Sequence, residues 1–231
     1  MTMPTETGLS GIGSFAHIAR MASRGNRLAT LVSAFAFAFS GVSFYETVIK
    51  QPRLSVFVPP VLSYGQDEGG DLEVFAIPIT ITNDGARSGT VLSMELEVES
   101  LTPKPDAPNS KRFYSAFLGE HPKSQETANR AFAPVSIAGR ASASETIRFY
   151  PQGSPKPHIV QDAGTFRFTL KLATAAAPPQ SFLDKLFKHG DPEPIIFART
   201  LPWFSSQSLS FRRATIPMHA EDWKPTVSGP K

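Results

Sequence analysis

The longest uncharged stretch of the sequence, LATLVSAFAFAFSGVSFY from residue 28 to residue 45, constrains the fold more than any other feature. It contains only apolar and small residues, and a helix of this length, at about 1.5 Å per residue, spans about 27 Å. That length is close to the thickness of the hydrocarbon core of a bilayer. We therefore predict a transmembrane signal-anchor helix over residues 28–46, closed by the first acid, Glu46.

Two other interpretations of this stretch remain open. A cleaved signal peptide would use residues 28–38 as its apolar region, with Ala36-Phe37-Ala38 as a small-x-small cleavage site. A buried helix of a soluble domain would normally carry a polar face, and this stretch has nothing more polar than Ser or Thr. We favour the uncleaved anchor because apolar residues continue past the cleavage pattern to Tyr45, which suits the interfacial aromatic belt.

The charges of the chain are concentrated around this stretch. The whole sequence carries a net charge of +3, and residues 1–53 contain five bases and two acids, which already give +3. The chain from residue 54 onward therefore has 18 residues of each sign and no net charge. Because such a domain has no electrostatic attraction for a polyanion, we do not expect nucleic acid as a partner.

The same charges predict the orientation. Arg20, Arg24 and Arg27 precede the apolar stretch and favour retention of residues 1–27 in the cytoplasm, which places the rest of the chain outside. The absence of cysteine excludes disulfides and thiolate sites and suits a bacterial periplasm. We therefore expect a single-pass protein of the bacterial inner membrane. The Arg-rich start also fits an organelle transit peptide, so a mitochondrial location stays open.

Small residues recur along the predicted helix at intervals of four and three positions, at Ala29, Ser33, Ala36 and Ser40. A stripe of small residues lets two membrane helices approach closely. We expect this face to contact other membrane-protein subunits within the bilayer. The alternative is that Ala and Ser are simply common in membrane helices.

After Lys50 the apolar pattern changes from helical to alternating, with turn residues between the segments. Several short strands without intervening helices predict an antiparallel β-sandwich over residues 47–216, followed by an extended tail over 217–231. Pro78 lacks a backbone N–H, so its strand is expected at an edge or bulged. The predicted strands are 54–58, 75–82, 92–99, 135–137, 146–150, 164–172, 195–201 and 208–211, and residues 113–118 form either a short strand or a lid.

Three of these segments resemble bacterial immunoglobulin-like domains of the CARDB type. They are AIPITITNDGARSGTVLSMELEV (76–98), PVSIAGRASASETIRF (134–149) and AGTFRFTLKL (163–172). The resemblance implies an all-β, immunoglobulin-like β-sandwich behind a single N-terminal transmembrane helix. It is a pattern of strands and turns without an invariant motif, so it implies a fold rather than a function.

Two further features are candidate partner-binding sites. A short helical insertion is predicted near residues 181–189, with an apolar face made of Phe182, Leu183, Leu186 and Phe187. It would either cover an open end of the domain or dock against a partner or the membrane. Trp203 and Phe204 are adjacent and cannot both point into one sheet face, so we expect one of them to be exposed at a partner contact.

No catalytic or metal-binding pattern accompanies these features. The five histidines are isolated, and the sequence has neither a phosphate loop nor a nucleophile motif. We therefore expect a non-catalytic accessory or assembly subunit of a membrane complex, without cofactor or metal. The alternative is a ligand- or carbohydrate-binding sensing module, for which Phe113, Tyr114 and Trp203 would have to converge on one pocket.

Overall fold

The computed structural model describes residues 12–67, 71–102, 104–105, 107–120, 130–175, 192–205, 209 and 215–223, with side chains from residue 28 onward. The chain divides into two compact units between Ile49 and Lys50. The first is helical and the second is built from strands, as the change of apolar pattern after Lys50 predicts.

The helical unit consists of α1 (Ile12–Phe44) and a π-helical turn (Tyr45–Ile49). Residues Leu28–Ile49 form a segment of 22 residues with a mean hydropathy of 1.6, long and apolar enough to cross a membrane. The side chains of residues 28–44 are exposed. A signal sequence near the N-terminus has the same properties, so the length and composition of this helix fit a membrane anchor or a signal sequence.

The second unit contains eleven antiparallel strands in the residues described. They are β1 (Leu54–Phe57), β2 (Val61–Gln66), β3 (Glu73–Asn83), β4 (Gly89–Ser100), β5 (Ser110–Leu118), β6 (Arg130–Ala131), β7 (Val135–Ile137), β8 (Ser142–Pro151), β9 (Gly164–Thr174), β10 (Ile195–Leu201) and β11 (Ile216–His219).

Eight of these strands close into a barrel, in the order β5-β8-β3-β2-β11-β10-β9-β4, because β4 also pairs with β5. The predicted immunoglobulin-like sandwich is therefore wrong. A sandwich would keep two sheets with free edges, whereas here the hydrogen-bonded ring returns to its first strand. Outside the ring, β1 pairs with β3, β6 with β5 and β7 with β4.

The ring closes because long strands bend and exchange partners. β5 pairs with β4 through residues 110–114 and with β8 through residues 113–118, with a register shift between Ser115 and Phe117. β4 has a similar register shift in its pairing with β9, between Val91 and Ser93. Along its other edge, β4 pairs first with β7 and then with β5. Bulges of this kind increase the local twist and turn corners in a sheet.

The bulge in β4 also changes which side chains face the core. The alternating pattern placed Leu92 in the same face as Met94, Leu96 and Val98. In the structure the last three are buried, but Leu92 is 45% exposed and Val91 is buried in its place. One extra residue reverses the alternation at that point, and nothing in the local sequence marks it.

The sequence predicted an edge strand or a bulge at Pro78, and this was wrong: β3 pairs with β8 in an unbroken register through Pro78–Thr146. On the other side of β3, β1 pairs up to Phe57–Thr80, and β2 pairs from Ser63–Ala76. The β1–β2 segment therefore advances from residue 57 to 63 while β3 advances only from 80 to 76, which breaks the pairing between them. Pro78 lies opposite this break, where no ladder hydrogen bond is required of it. β3 is therefore a central strand, with β8 on one side and β1 and β2 on the other.

Two strands of the ring were not predicted. β2 follows two prolines directly, and β11 occupies residues 216–219, which overlap the predicted tail. The predicted strand at 208–211 lies outside the described residues except for Leu209, which is buried in a helical turn. β7 and β8 do not pair with each other, although they follow one another closely.

The barrel interior is packed with aromatic and aliphatic side chains. The ring of Phe75 lies 5.0 Å from that of Phe113 and 5.4 Å from that of Phe168, both in edge-on contact. On the outer face, the charges of β4 and β9 pair as their alternation suggested. Glu99 lies 2.9 Å from Arg167, and Lys171 lies between the two other glutamates of β4.

A buried asparagine joins three loops at one end of the barrel. Asn83 is fully buried, and its Oδ1 accepts hydrogen bonds from the backbone N–H groups of Gly85 and Arg53. Its Nδ2 donates to the carbonyl oxygens of Arg87, Ile137 and Ala138. This one side chain therefore ties the residues before β1 to the β3–β4 and β7–β8 connections.

Candidate functional site

The small-residue face predicted on the helix is exposed. Ala29, Ser33, Ala36 and Ser40 all lie in α1 and are exposed. The role of this face in contact with other subunits remains a prediction.

The other predicted contact residues fall into two groups. Phe182, Leu183, Leu186 and Phe187 lie outside the described residues. Trp203 and Phe204 point in different directions: Trp203 is 48% exposed, whereas Phe204 is half-buried and its ring lies 6.5 Å from that of Tyr64. Trp203 is thus the exposed member of this pair.

The aromatic pocket required by the ligand-binding alternative is not formed by the residues named for it. Phe113 is fully buried in the barrel core against Phe75. Tyr114, its neighbour on β5, points outward and is 49% exposed. Adjacent residues of a strand face opposite sides of the sheet, so these two side chains cannot line the same pocket.

A buried carboxylate is the most unusual polar group in the barrel. Glu73 begins β3 and is completely buried. Its Oε1 accepts hydrogen bonds from the hydroxyl of Tyr64 (3.3 Å) and the N–H of Val160 (2.9 Å). Its Oε2 accepts from the N–H of Ile159 (3.0 Å) and from Nζ of Lys111 (3.4 Å).

These contacts make Glu73 a clasp for the β8–β9 loop, residues 152–163. The loop supplies two of the four donors, and it also accepts hydrogen bonds from Lys111 through the carbonyl oxygens of Pro155 and Pro157. Since both carboxylate oxygens are occupied, the group is held in place rather than presented to a substrate. Burial, and next the negative charge of Glu73, raise the pKa of Tyr64 well above its usual value.

The loop is also tied down at the surface. His158 contacts Gln66 through Nδ1 (3.3 Å) and the carbonyl oxygen of Asp71 through Nε2 (3.1 Å). Lys156 pairs with the carboxylate of Asp71 at 2.7 Å, and the hydrogen bond from Lys156 lowers the pKa of Asp71. His158 therefore holds the loop against the strands through both of its ring nitrogens.

The barrel wall has one weak line, which we call the seam. β10 and β11 share only one residue pair, Thr200–His219, and β11 ends there. The chain then reverses: the N–H of Trp223 bonds to the carbonyl of Ala220, and the indole stacks on the His219 ring at 4.4 Å. Beyond this point no described strand lies between β1 and residues 195–199 of β10.

Apolar side chains border the seam on both faces of the wall. Inward, Leu54, Val56 and Phe197 pack against the core but are only partly buried. Outward, Phe57 is 62% exposed and Ile196 is 66% exposed. They are the two most exposed large apolar side chains described in the barrel unit, and they lie on the two strands that flank the seam.

Arg199 crosses the seam from β10. Its guanidinium donates to the carbonyl oxygens of Pro59 and Ala198, both at 2.7 Å, and lies 4.8 Å from the centre of the Phe197 ring. The residue is only 7% exposed, and its buried Nε has no acceptor among the described residues. Burial lowers the pKa of Arg199, and the charge of Asp222 partly opposes this effect.

Neither the Glu73 clasp nor the seam was predicted from the sequence. Glu73 looks like an ordinary acid at a strand start, since two of its four donors come from residues nearly ninety positions away. The strands that flank the seam do carry a recognisable sequence pattern: VFV at 56–58 and IIF at 195–197 are apolar at consecutive positions. Strands with both faces apolar are typically buried on both sides, whereas Phe57 and Ile196 are exposed here.

The sequence matches no protein-family model and no curated protein. Among solved structures, the chain is similar to a crystal structure of a Bordetella pertussis protein assigned as ApaA. The sequence identity is 15%, and the alignment covers 75% of this chain and 98% of that one. The TM-score is 0.28, so this likeness carries no argument, and nothing in the comparisons links the chain to CARDB-type domains.

Proposed function

We propose that this chain is a non-catalytic subunit of a membrane protein complex, tethered by its N-terminal helix and binding another polypeptide through its barrel. The observation that carries the proposal is the seam, where two exposed apolar side chains, Phe57 and Ile196, lie on strands that no strand among the described residues joins. Exposed apolar groups next to unpaired strand edges are typical of protein contact sites.

The helix supports the tether in this proposal. Its apolar segment from Leu28 to Ile49 has the length of a membrane span, and three arginines precede it. With those arginines retained inside, the N-terminus is cytoplasmic and the barrel lies in the periplasm of a bacterial inner membrane. The exposed small-residue face of α1 then offers a second contact, between helices.

The first test concerns the membrane. Full-length protein in isolated membranes should resist extraction by alkaline carbonate, and a protease added outside the inner membrane should reach the barrel but not residues 1–27. Release of the chain by carbonate, or a mature N-terminus found at Phe39, directly after the Ala36-Phe37-Ala38 pattern, would show a cleaved signal and overturn the tether.

The second test concerns the complex. Full-length protein solubilised in mild detergent should migrate as one complex with defined partner subunits. Ala36→Leu and Ser40→Leu should reduce the amount of complex without reducing membrane insertion, because a leucine would separate the helices. Trp203→Ala tests whether the exposed Trp203 side chain contributes to the complex. Leu92→Ala, which changes a similarly exposed side chain away from the seam, is the matched control. Migration of wild-type protein as a lone monomer would refute the proposal.

A further inference from the structure

We infer that the seam is a strand-acceptor site, which binds an extended segment of another polypeptide as an added β-strand, antiparallel to both β1 and β10. The inference rests on the proposed function and specifies its binding mode. It follows from the register of the strands, the direction of their free hydrogen-bonding groups and the apolar side chains along both borders.

The direction of the missing strand follows from the topology. β11 is antiparallel to β2 and also to β10, so β10 runs in the same direction as the β1–β2 segment. Thr200, His219 and Val61 lie side by side at the level where β11 ends. Two strands that flank a missing third are separated by about twice the strand spacing, roughly 10 Å. One strand antiparallel to both would restore the regular pattern of the wall.

The backbone of β1 offers hydrogen bonds to such a strand. The N–H of Asp84 bonds to the carbonyl of Arg53, and this register makes Ser55–Thr82 and Phe57–Thr80 the hydrogen-bonded pairs with β3. Pairs alternate in an antiparallel ladder, so the N–H and C=O groups of Leu54 and Val56 point away from β3, toward the seam. No described residue bonds to these four groups.

The side chains along the seam define the chemistry of the incoming segment. Its inward residues would pack on Val56 and Phe197, which are only partly buried, and its outward residues on Phe57 and Ile196. The segment should therefore be apolar on both faces over about four residues, the length of β1. A carbonyl or carboxylate of the same segment near Arg199 would satisfy the buried Nε donor.

The experiment places the photo-crosslinking residue p-benzoylphenylalanine at position 196 in full-length protein in its native membrane. Illumination is expected to join it to one discrete segment of another polypeptide, identified by mass spectrometry as apolar at consecutive positions. Val56→Pro removes a seam-facing N–H without removing a hydrogen bond to β3, and should lower the adduct yield about tenfold. Val56→Ala, which keeps the N–H, is the matched control.

A second variant guards against misfolding of the proline variant. Phe57→Glu changes an exposed side chain and should also abolish the adduct, whereas Leu92→Glu, exposed on β4, should not. An adduct within the same chain, an adduct with lipid, or no adduct would each overturn the inference. If the complex survives detergent while position 196 gives no adduct, the strand-acceptor site is wrong and the proposed function stands. If the complex and the adduct at position 196 are both absent, the strand-acceptor site and the proposed function are both wrong.

Discussion

The clasp formed by Glu73 leads to the sharpest stability prediction. Glu73→Gln keeps the shape of the side chain but replaces one acceptor oxygen with an amide that can only donate. Whichever way the amide turns, two of the four donors around the carboxylate lose their acceptor. These donors are the Tyr64 hydroxyl, the N–H groups of Ile159 and Val160, and Nζ of Lys111.

The size of the effect follows from burial. Removing one partner of a buried ion pair typically costs about 3–5 kcal/mol, because the other charge stays buried without compensation. Lys111 retains the carbonyl oxygens of Pro155 (2.6 Å) and Pro157 (3.0 Å), which offset part of this cost. We therefore expect Glu73→Gln to lower the free energy of unfolding by about 3 kcal/mol, at the lower end of that range.

The assay is urea unfolding of the full chain in mild detergent, followed by circular dichroism of the strands. Amide hydrogen exchange adds a local readout, since the N–H groups of Ile159 and Val160 should lose protection before those of Phe168 in the core. Glu99→Gln is the matched control: its pair with Arg167 is exposed at the surface, so the change should cost less than about 1 kcal/mol.

A double-mutant cycle separates the ion pair from the loop contacts. Lys111→Met combined with Glu73→Gln should be less destabilising than the sum of the two single variants, because each single variant leaves an uncompensated group. If Glu73→Gln unfolds within about 0.5 kcal/mol of wild type, or if the protection of Ile159 and Val160 does not change, the carboxylate does not clasp the loop.

Three further changes test other parts of the barrel. The pKa of Tyr64 is raised in the folded state, so its contribution to stability is complete below the unfolded pKa of about 10. That contribution is lost as the pH rises through the folded pKa. Urea unfolding from pH 9 to 11 should therefore show a steeper loss of stability for wild type than for Tyr64→Phe. Asn83→Asp should cost about 3 kcal/mol at neutral pH because its carboxylate would face three carbonyl oxygens, and stability should partly return in acid, as measured by unfolding at both pH values. Gly139→Ala would place its Cβ 1.9 Å from the carbonyl oxygen of Ala86, so thermal unfolding should show a loss of about 3 kcal/mol.

Most strands could be predicted from the sequence because their alternation reflects one buried and one exposed face. β3, β4 and β9 each carry a run of inward apolar residues between polar ones, and their centres were placed correctly. β11 was missed because four residues with an internal proline, IPMH, give too short a pattern. Without β11 the predicted set of strands could not have closed.

Closure itself could not be predicted from local patterns. A sandwich and a barrel require the same alternation of apolar and polar residues, and they differ only in whether the edge strands pair with each other. Here the difference depends on where β5 and β4 bend, and Leu92 shows that a bulge leaves no mark in the alternation. The immunoglobulin-like resemblance rested on a pattern of strands and turns alone, and the order of strands in space overturns the fold it implied.

The candidate sites follow the same division. The exposure of one of Trp203 and Phe204 could be predicted because two adjacent aromatics cannot share one face, but the sequence did not show which. The Glu73 clasp could not be predicted, since its partners come from three separate parts of the chain. The seam lies between these cases: its apolar strands are visible in the sequence, but the missing neighbour becomes evident only once β11 is seen to stop at His219.

The clasp and the seam lie toward opposite ends of the barrel, which separates stability from binding. Glu73 opens β3, and Thr80, which pairs with Phe57 beside the seam, lies seven residues further along the same strand, about 23 Å at 3.3 Å per residue. Substitutions that far apart and without shared partners normally have additive effects. Glu73→Gln should therefore lower the stability of the barrel while leaving the strand edges and apolar side chains of the seam in place. If Glu73→Gln alone abolished crosslinking at position 196, the loop and the seam would belong to one cooperative unit.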